Sequence, residues 1–555
     1  MPQVANTFIY ALCTLMIVGC SDSQNDDATE PEGRRSLAIE EVRANTSSDW
    51  YLAGETTISS AVELEEQASE DRRMAKNIIL IVGDGMGIPT VTSGRIFQGQ
   101  QAGLLGEEYS TSLDQMPYSG VVKTYTVDAQ TPDSAGTMTA LVTGVKTKTG
   151  VLAVSEDVSL NDCASMAGNE LVTLLELAEL ADMATGIVTT ARVTHATPAA
   201  TYAKAAFRNW EDTSLMPPNA IEEGCKDIAD QLVGFEASLE ARFPGAEVDG
   251  IELVLGGGRR HFLPASELER GDDSAFQRVN GRRTDMRNLV QEWSEAYPGG
   301  LYIERGDALE SESTLRSTHV LGLFNDSHMS YEADRRINAA NEPSLLEMTK
   351  FALRKLQGSD KNGFFLVIES GRIDHAHHAG SAHGALTETL ELFDAVQAVL
   401  DNTDNETLVV VTADHSHVMC MSGHSVRGNP ILGKVALSLD GPPALAADGL
   451  PYTTLVYGNG RGFMSLGSET DADAALNLPR HEGRADLTQV DTLTPGFHQE
   501  ALVSLEVETH GGEDVGIYAS GPGSGLLRGA FEQNYVFHVI AHAGDLIRRA
   551  EAQFE

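Results

Sequence analysis

Histidines and acidic residues crowd into one short segment of the sequence, GFFLVIESGRIDHAHHAG. Residues able to ligate a metal fall within ten positions there: Glu369, Asp374, His375, His377 and His378. Asp374 and His378 are four residues apart, so on a helical turn both side chains could reach one cation. The mixture of carboxylate and imidazole suits zinc. Because this cluster follows an apolar run, the segment predicts a metal site rather than a solvated surface.

Two further segments carry similar residues directly after apolar runs. Asp414 and His415 follow TLVVVT, and His417 comes two positions later. Asp84 follows NIILIV within GDGMG, where the glycines allow a sharp turn. Asp84 could equally cap the next helix in an ordinary strand-to-helix turn, so both interpretations stay open. His510, in ETHGGEDVGIY, is a lone histidine, which by itself favours a structural role.

A serine with the right surroundings for phosphate chemistry occurs in PDSAGT, ahead of the helical run MTALVTG. Ser134 would stand at a helix N-terminus, where backbone N–H groups and the helix dipole favour an attached phosphate. Helix capping explains the same pattern equally well. The segment lacks the G-x-S-x-G elbow, which argues against an α/β-hydrolase.

Short β-branched runs alternate with helical patterns along the chain, and this alternation must position these residues. The predicted strands are Asn77–Val82, Thr185–Thr189, Glu252–Leu255, Phe364–Glu369 and Thr407–Thr412. The predicted helices include Glu170–Ala181, Ser344–Leu356 and His383–Leu400. This pattern predicts an α/β fold with a central, mostly parallel sheet covered by helices on both faces. Because the polar residues follow predicted strands, they should meet at the carboxyl edge of that sheet.

The composition restricts both size and partners. The chain has 555 residues, 39 Lys+Arg and 81 Asp+Glu, for a formal charge of −42, and is 41% hydrophobic. It can therefore bury a large core, as one large α/β unit with insertions or as two to three domains. So negative a surface excludes broad nucleic-acid binding. It also suggests a halophilic, salt-adapted surface whose self-repulsion needs counterions.

The N-terminus predicts export. Phe8–Gly19 is apolar but only about half the roughly 20 residues needed to span a bilayer, and it resembles a signal peptide. It runs into Ile17-Val18-Gly19-Cys20, which resembles a lipoprotein cleavage box, although the first ten residues lack Lys and Arg. We expect a signal over 1–19, lipidation at Cys20 and a flexible tether over 20–48. The protein would then be periplasmic or on the cell surface, held to the membrane only by a lipid.

Three cysteines remain in the expected mature chain: Cys163, Cys225 and Cys420. An oxidising compartment permits one disulfide among them, and spacing does not choose the pair.

From about Lys76 to Leu546 the chain resembles alkaline phosphatase. The matching segments, in order, are IVGDGMG, TPDSAGTMTALVTG, IVTTARVTHATPAATYA, FRNW, GCKDIADQL, LGGGR, GFFLVIESGRIDHAHH, ALTETLELFDA, VTADHSH, YGNGRG and ETHGGEDVGIYASGP. RIDHAHH and THATPA are closer to the animal type than to the enteric bacterial type. The resemblance implies hydrolysis of phosphate monoesters through a phosphoserine, and therefore a broad class of small-molecule substrates.

The resemblance also implies two zinc ions and one magnesium ion per subunit. The first zinc would take Asp374, His378 and His510. The second would take Asp84, Asp414 and His415, beside the oxygen of Ser134. The magnesium would share Asp84 and add Thr197 and Glu369. Zinc coordination would stabilise the serine alkoxide, and two zincs about 4 Å apart would clamp an in-line displacement.

Further roles follow from the same resemblance. Ser134 would be the nucleophile, Arg208 would grip the phosphate with two parallel hydrogen bonds, and Asp133 would orient that arginine. His417 would support Asp374, and His195 would lie near the magnesium. Cys163 and Cys225 stand where animal members carry a disulfide, which leaves Cys420 free.

Three further expectations concern a possible calcium site, an insertion in the α/β domain and the N-terminal arm. Calcium could bind through Glu342 and the carbonyl of Phe324, although Asn325 stands where an acidic ligand is expected. Residues 421–508 lack periodic segments and correspond to a crown-like insertion between two parts of the α/β domain, 76–420 and 509–555. A helical arm over 49–75 resembles one that embraces a partner subunit, so we expect a homodimer.

Two other classes of protein remain as alternatives. One is another metal-dependent member of the same superfamily, a phosphodiesterase, sulfatase or phosphomutase. Sulfatases need a C/S-x-P-x-R context, which Ser134 lacks, and diesterases tend to use threonine. The other is a non-catalytic surface lipoprotein that stores zinc or binds phosphate. Such a protein would usually have lost Ser134 or Arg208, and both are present.

Overall fold

A computed structural model describes residues 74–265, 268–269, 279–338 and 341–554 of the chain. The expected signal peptide, the tether with Cys20, and the helical arm as far as residue 73 lie outside the described residues. Within them, no helix is both long and apolar enough to cross a bilayer.

The described strands group into one large sheet and several small ones. Their bounds are β1 Asn77–Gly83, β2 Tyr118–Lys123, β3 Ala184–Arg192, β4 Leu253–Gly257, β5 Leu268–Glu269, β6 Val279–Asn280, β7 Leu301–Ile303, β8 Val320–Leu323, β9 Phe364–Ser370, β10 Thr407–Ala413, β11 Ser416–His417, β12 Met419–Met421, β13 Leu455–Gly460, β14 Met464–Ser465, β15 Phe497–His498, β16 Ala501–Ser504, β17 His510–Gly511, β18 Val515–Ser520 and β19 Gly529–Glu532. The large sheet has ten strands in the order β19-β2-β18-β10-β1-β9-β3-β4-β8-β7.

Helices surround this sheet. Their bounds are α1 Ile88–Gln101, α2 Ser134–Thr143, α3 Leu174–Leu180, α4 Ala196–Ala199, α5 Pro218–Glu222, α6 Ile228–Val233, α7 Phe235–Arg242, α8 Leu289–Ala296, α9 Glu312–Arg316, α10 Glu332–Asn338, α11 Leu345–Gln357, α12 Arg372–His378, α13 Ala382–Asn402, α14 Tyr535–Ala543 and α15 Leu546–Glu551. Strands β9 and β10 are buried at every residue, which requires cover on both faces of the sheet. The predicted α/β fold is confirmed.

The central strands are parallel and in a register that brings their carboxyl ends level. Gly83 at the end of β1 pairs with Ala413 of β10 on one side and with Ser370 of β9 on the other. Asp84 and Asp414 each follow their strand by one residue, and Glu369 is the second-last residue of β9. The expectation that these carboxylates meet at one edge of the sheet is therefore confirmed.

The five predicted strands all occur in the structure, each with ends shifted by at most three residues. Of the three predicted helices, α11 begins after Ser344, whose hydroxyl accepts the N–H of Glu347 while the Glu347 carboxylate accepts the N–H of Ser344.

One feature of the sheet differs from a purely parallel arrangement. Among the described strands of the large sheet, β18 alone runs against the others, because it pairs antiparallel with both β10 and β2.

Outside the large sheet, short strands hold later parts of the chain together. Strands β12, β13 and β16 form a three-stranded sheet, and β14 pairs with β15. The two-residue strands β11 and β17 pair antiparallel, which sets His417 directly opposite His510. This small ribbon attaches the histidine at position 510 to the edge where β10 ends.

Cysteines 163 and 225 form a disulfide across a sequence separation of 62 residues. This is the pair that the family resemblance implied. Cys420 is a free, exposed thiol.

Helix α13 buries a carboxylate whose protonation affects stability. Burial raises the pKa of Glu388 to about 8, and its Oε1 accepts the N–H of Glu332 at 2.5 Å. Between about pH 4.5 and pH 8 the folded protein keeps a proton that the unfolded chain releases, so stability falls as pH rises through this window. Above the window the whole cost of burying the carboxylate persists.

At pH 9 the variant Glu388→Gln should therefore have a free energy of unfolding roughly 2 kcal/mol or more above that of the parent, and so unfold at a higher temperature. At pH 4.5 we expect little difference. The glutamine oxygen can still accept the Glu332 N–H. Thermal unfolding at both pH values measures the difference, and Glu312→Gln, on the exposed helix α9, is the control. An equal effect at both pH values would contradict the assigned cause.

Candidate active site

Helix α2 presents Ser134 as its first residue. Asp133 is the N-cap, and its Oδ1 accepts the N–H of Gly136 at 3.1 Å. Capping is thus performed by Asp133, which leaves the Ser134 hydroxyl free for other contacts. That hydroxyl is buried, lies 3.1 Å from Nε2 of His415 and donates to Oδ1 of Asp84 at 3.5 Å.

Around Ser134, one group of ligand atoms comes from Asp84, Asp414 and His415. Nδ1 of His415 faces the carbonyl of Ser416 at 3.2 Å, so Nε2 carries the lone pair. Nε2 lies 3.5 Å from Asp84 Oδ1 and 3.3 Å from Asp414 Oδ2. Burial lowers the pKa of His415 to about 3, so the imidazole is neutral. A lone pair facing two carboxylates is an arrangement that a divalent cation would stabilise.

A second group, from Asp374, His378 and His510, lies close by. The two Nε2 atoms of His378 and His510 are 3.1 Å apart, and they lie 3.3 and 3.5 Å from Asp374 Oδ1. Nδ1 of His378 donates to the carbonyl of Glu508 at 2.6 Å, and Nδ1 of His510 donates to that of Pro132 at 2.8 Å. Both Nε2 atoms are therefore lone-pair donors directed at each other. Ligand atoms of a tetrahedral zinc site are about 3.3 Å apart.

A third group lies on the other side of Asp84. Ligand atoms of Asp84, His195 and Glu369 fall within 4.8 Å of one another. Burial raises the pKa of Glu369 to about 7. Four buried oxygens of the candidate metal ligands have no hydrogen-bond partner among the described residues: Asp84 Oδ2, Glu369 Oε1, Asp414 Oδ2 and Thr197 Oγ1. Unpartnered buried oxygens of this kind fit a hard cation such as magnesium.

Arg208 lies beside the nucleophile through its contact with Asp133. Its Nη1 donates to Asp133 Oδ2 at 3.0 Å and its Nη2 to Nε2 of His195 at 3.1 Å. Asp133 also accepts the N–H of Gly150 at 3.1 Å. Although burial opposes it, the Arg208 charge and these backbone N–H groups lower the pKa of Asp133. The carboxylate thus stays charged and holds the guanidinium in a fixed orientation.

The structure thus brings Ser134, Asp133 and Arg208 close to the residues predicted to hold zinc and magnesium. His417 donates from Nε2 to Asp374 Oδ1 at 2.7 Å, as expected for its supporting role. Two other histidines of the dense segment belong to none of the three metal groups. His377 contacts Thr90 and the Tyr457 hydroxyl, and His375 packs against His328 and His195.

Two residues of the site lie within matching segments, but the sequence gave them no predicted role. Glu508 contacts His417 at 2.6 Å, and Thr189 donates from its hydroxyl to Glu369. Glu508 lies two residues before His510 in ETHGG, so its position near a candidate ligand was the available clue. Thr189 ends a predicted strand that neighbours β9, so its pairing opposite Glu369 follows from the register.

Glu342, which was suggested as a calcium ligand, accepts hydrogen bonds from donors within the protein. Glu342 accepts the Asn325 side-chain amide at 2.6 Å and the N–H of Ser330 at 2.8 Å, through separate oxygens. Both carboxylate oxygens therefore have donors within the protein. Calcium binding at Phe324 and Glu342 remains a prediction.

Comparison with known proteins agrees with this geometry. A profile of the alkaline phosphatase family matches residues 75–546. The chain is 41% identical over 500 residues to tissue-nonspecific alkaline phosphatase of Gallus gallus, covering 89% of this chain and 88% of that protein. It is 38% identical over 498 residues to the Homo sapiens isozyme, with the same coverage. Thermus thermophilus alkaline phosphatase shares the fold, with a TM-score of 0.57 at 23% identity, over 88% of this chain and 97% of that one.

Proposed function

Because this chain belongs to the alkaline phosphatase family, and is therefore a phosphoric monoester hydrolase, we propose that it acts through a phosphoserine on Ser134. Two zinc ions and one magnesium ion per subunit complete the proposal. The family membership and enzyme class predicted from the motifs are confirmed.

The metal proposal rests on the close approach of the two imidazoles of His378 and His510. Their Nε2 atoms lie 3.1 Å apart, and their Nδ1 hydrogens are both committed to backbone carbonyls. Two lone pairs at that distance repel unless a cation lies between them. Asp374 adds a negative charge at the same point, which favours zinc over an alkali metal.

Three groups of residues would hold the metals. Asp374, His378 and His510 would hold the first zinc; Asp84, Asp414 and His415 the second; and Asp84, Thr197 and Glu369 the magnesium, with His195 adjacent. When bound, these ions would supply Lewis-acid stabilisation of the charges on the attacking and leaving oxygens.

Ser134 supplies the attacking oxygen. Its Oγ gives up its proton to solvent and forms a bond to phosphorus while the ester P–O bond breaks, and the alcohol leaves with a proton taken from solvent. Water then attacks the phosphoserine, the Oγ–P bond breaks, one proton of the water passes to Oγ to restore the hydroxyl, and inorganic phosphate leaves as hydrogen phosphate. The N-terminus of α2 favours the negative phosphoryl group on Ser134, since its backbone N–H groups and dipole point toward the start of the helix.

The direct test of this proposal is to trap the phosphoryl group and to compare ester classes. After a brief incubation with p-nitrophenyl phosphate and an acid quench, the peptide containing Ser134 should gain one phosphoryl group by mass. The monoester should be hydrolysed far faster than bis-nitrophenyl phosphate, because these residues address a doubly charged phosphoryl group. Preference for the diester, or label on another residue, would contradict the proposal.

Arg208 would bind the phosphoryl oxygens while Asp133 holds it in place. Replacing it by lysine leaves one point charge that cannot make two parallel hydrogen bonds. We expect Arg208→Lys to lower kcat/KM by about ten- to hundredfold, from the loss of about 1.5–3 kcal/mol in charged hydrogen bonding. The inhibition constant of inorganic phosphate should rise in parallel.

Initial rates with and without phosphate measure both effects in Arg208→Lys. Arg287→Lys is the matched control, because Arg287 pairs with Asp230 at 2.8 Å and with Glu292, neither of which belongs to the candidate site. An unchanged phosphate inhibition constant in Arg208→Lys would contradict the role of Arg208.

Export, anchoring and assembly are further proposals that rest on sequence. The signal over 1–19, lipidation of Cys20 and the arm over 49–75 support a periplasmic or surface-bound homodimer. The disulfide between Cys163 and Cys225 is consistent with an oxidising compartment. The crown-like insertion at 421–508 and a salt-adapted surface belong to the same set.

A further inference from the structure

Glu508 is a fully buried carboxylate that opens the segment ETHGGEDVGIYASGP, and the family resemblance gave it no role. Its Oε2 accepts from Nδ1 of His417 at 2.6 Å, and its Oε1 accepts the N–H of Val418 at 2.9 Å. The ion pairs it makes among the described residues are with histidines, His417 and His378. A buried charge is costly unless it is well hydrogen-bonded, so this residue needs the imidazole beside it.

The backbone of Glu508 bonds to one of the candidate zinc ligands. Its carbonyl accepts from Nδ1 of His378 at 2.6 Å, and its N–H donates to the carbonyl of His378 at 3.0 Å. The first of these bonds fixes the tautomer of His378, so that its Nε2 carries the lone pair. The second anchors the end of α12 to the segment that leads into His510.

The side chain of Glu508 reaches a second candidate ligand through His417. Nε2 of His417 donates to Asp374 Oδ1 at 2.7 Å. Since carboxylates only accept hydrogen bonds, both ring nitrogens of His417 carry a hydrogen and the ring bridges Glu508 and Asp374. The rotation of the His417 ring, and with it the direction of the bond to Asp374, is thus set by Glu508.

We propose that Glu508 is a positioning residue for the first zinc group. Its side chain orients Asp374 through His417, and its backbone orients His378. It also helps to position His510, which lies two residues later in the chain. It thereby sets the zinc affinity of that group. This inference rests on the proposed function, because it takes Asp374, His378 and His510 as zinc ligands.

The other zinc group gives an internal reference. Asp414 Oδ1 accepts the N–H groups of Gly85 and His415, and His415 bonds to the carbonyl of Ser416. Each of these bonds is made without Glu508. A change at Glu508 should therefore weaken one zinc site and spare the other, whereas a general loss of packing would weaken both.

The test measures zinc affinity in the full-length protein. Glu508→Gln keeps the shape and the acceptor for Val418, but it cannot accept a charge-assisted bond from His417. Zinc dissociation constants come from competition with a chromogenic chelator, and cobalt substitution reports each site by its visible absorption. We expect zinc binding at one site to weaken by about ten- to hundredfold and at the other by less than twofold. Excess zinc should restore kcat.

Two further variants complete the design. Glu506→Gln, on an exposed side chain in the same segment, should bind zinc as the parent does. Glu508→Asp keeps the charge on a shorter side chain and should give an intermediate affinity. If Glu508→Gln fails to fold, Glu508→Asp alone decides, since unchanged affinity at both sites would overturn the inference.

A double-mutant cycle tests the route through His417. If Glu508 acts on Asp374 through His417, the pair Glu508→Gln with His417→Asn should weaken zinc binding little more than His417→Asn alone. Fully additive losses, equal weakening of both sites, or unchanged affinity in Glu508→Gln would overturn the inference. Failure of the parent protein to bind two zinc ions would instead refute the proposed function.

Discussion

Replacing Ser134 by alanine should lower turnover by on the order of 10⁴-fold or more while leaving the metal content unchanged. The serine hydroxyl is buried at the start of α2, 3.1 Å from His415 and 3.5 Å from Asp84. Removing it deletes the covalent intermediate that divides the displacement into two easier steps. The ligands from Asp374, His378 and His510 do not contact this oxygen, so metal binding there should persist.

The loss in Ser134→Ala is measured by initial rates with a simple phosphate monoester, alongside metal analysis of the purified protein. Ser93→Ala is the control, because Ser93 is also a buried serine and its hydroxyl has no hydrogen-bond partner among the described residues. Normal turnover in Ser134→Ala would remove the phosphoserine mechanism. Loss of metal together with activity would show instead that the variant disrupts the site.

Dialysis against a chelator should abolish activity, and zinc with magnesium should restore it. The candidate ligands hold carboxylates close together in a buried region, and burial together with the neighbouring Asp414 and Asp374 raises the pKa of Asp84 well above its usual range. Without cations this repulsion persists. The apoprotein should therefore also unfold at a lower temperature, since ligands that bind only the folded state add stability.

Magnesium added alone should leave the apoprotein inactive, because the two imidazole-containing groups suit zinc rather than magnesium. The measurement combines activity with thermal unfolding of the holo, apo and reconstituted protein. The parent protein treated with chelator already saturated with zinc is the control. Recovery with magnesium alone would mean that the zinc assignments are wrong.

Much of the site could be predicted because it follows from strand position. Asp84, Glu369 and Asp414 were predicted to meet, since each stands where a buried run ends, and the level register of β1, β9 and β10 bears this out. Asp374 and His378 followed from helical spacing and lie on α12. These inferences depend on local periodicity and on one rule about parallel sheets, so a single sequence suffices.

Other parts needed long-range pairing that local patterns do not encode. His510 alone favoured a structural role, and only the family resemblance identified it as a ligand; in the structure it reaches the site because β17 pairs with β11. Strands β2 and β19 were missed because both are partly exposed and lack the continuous apolar pattern of the central strands. The reversal of β18 is a matter of topology, which composition and periodicity leave undetermined.

The attachment of His510 through the β11–β17 ribbon has a consequence for the timing of activity. The site draws on residues from Asp84 to His510, so a ribosome must synthesise more than nine-tenths of the polypeptide before the last imidazole exists. We therefore expect a chain that ends before His510 to lack phosphatase activity, because one candidate zinc ligand is missing.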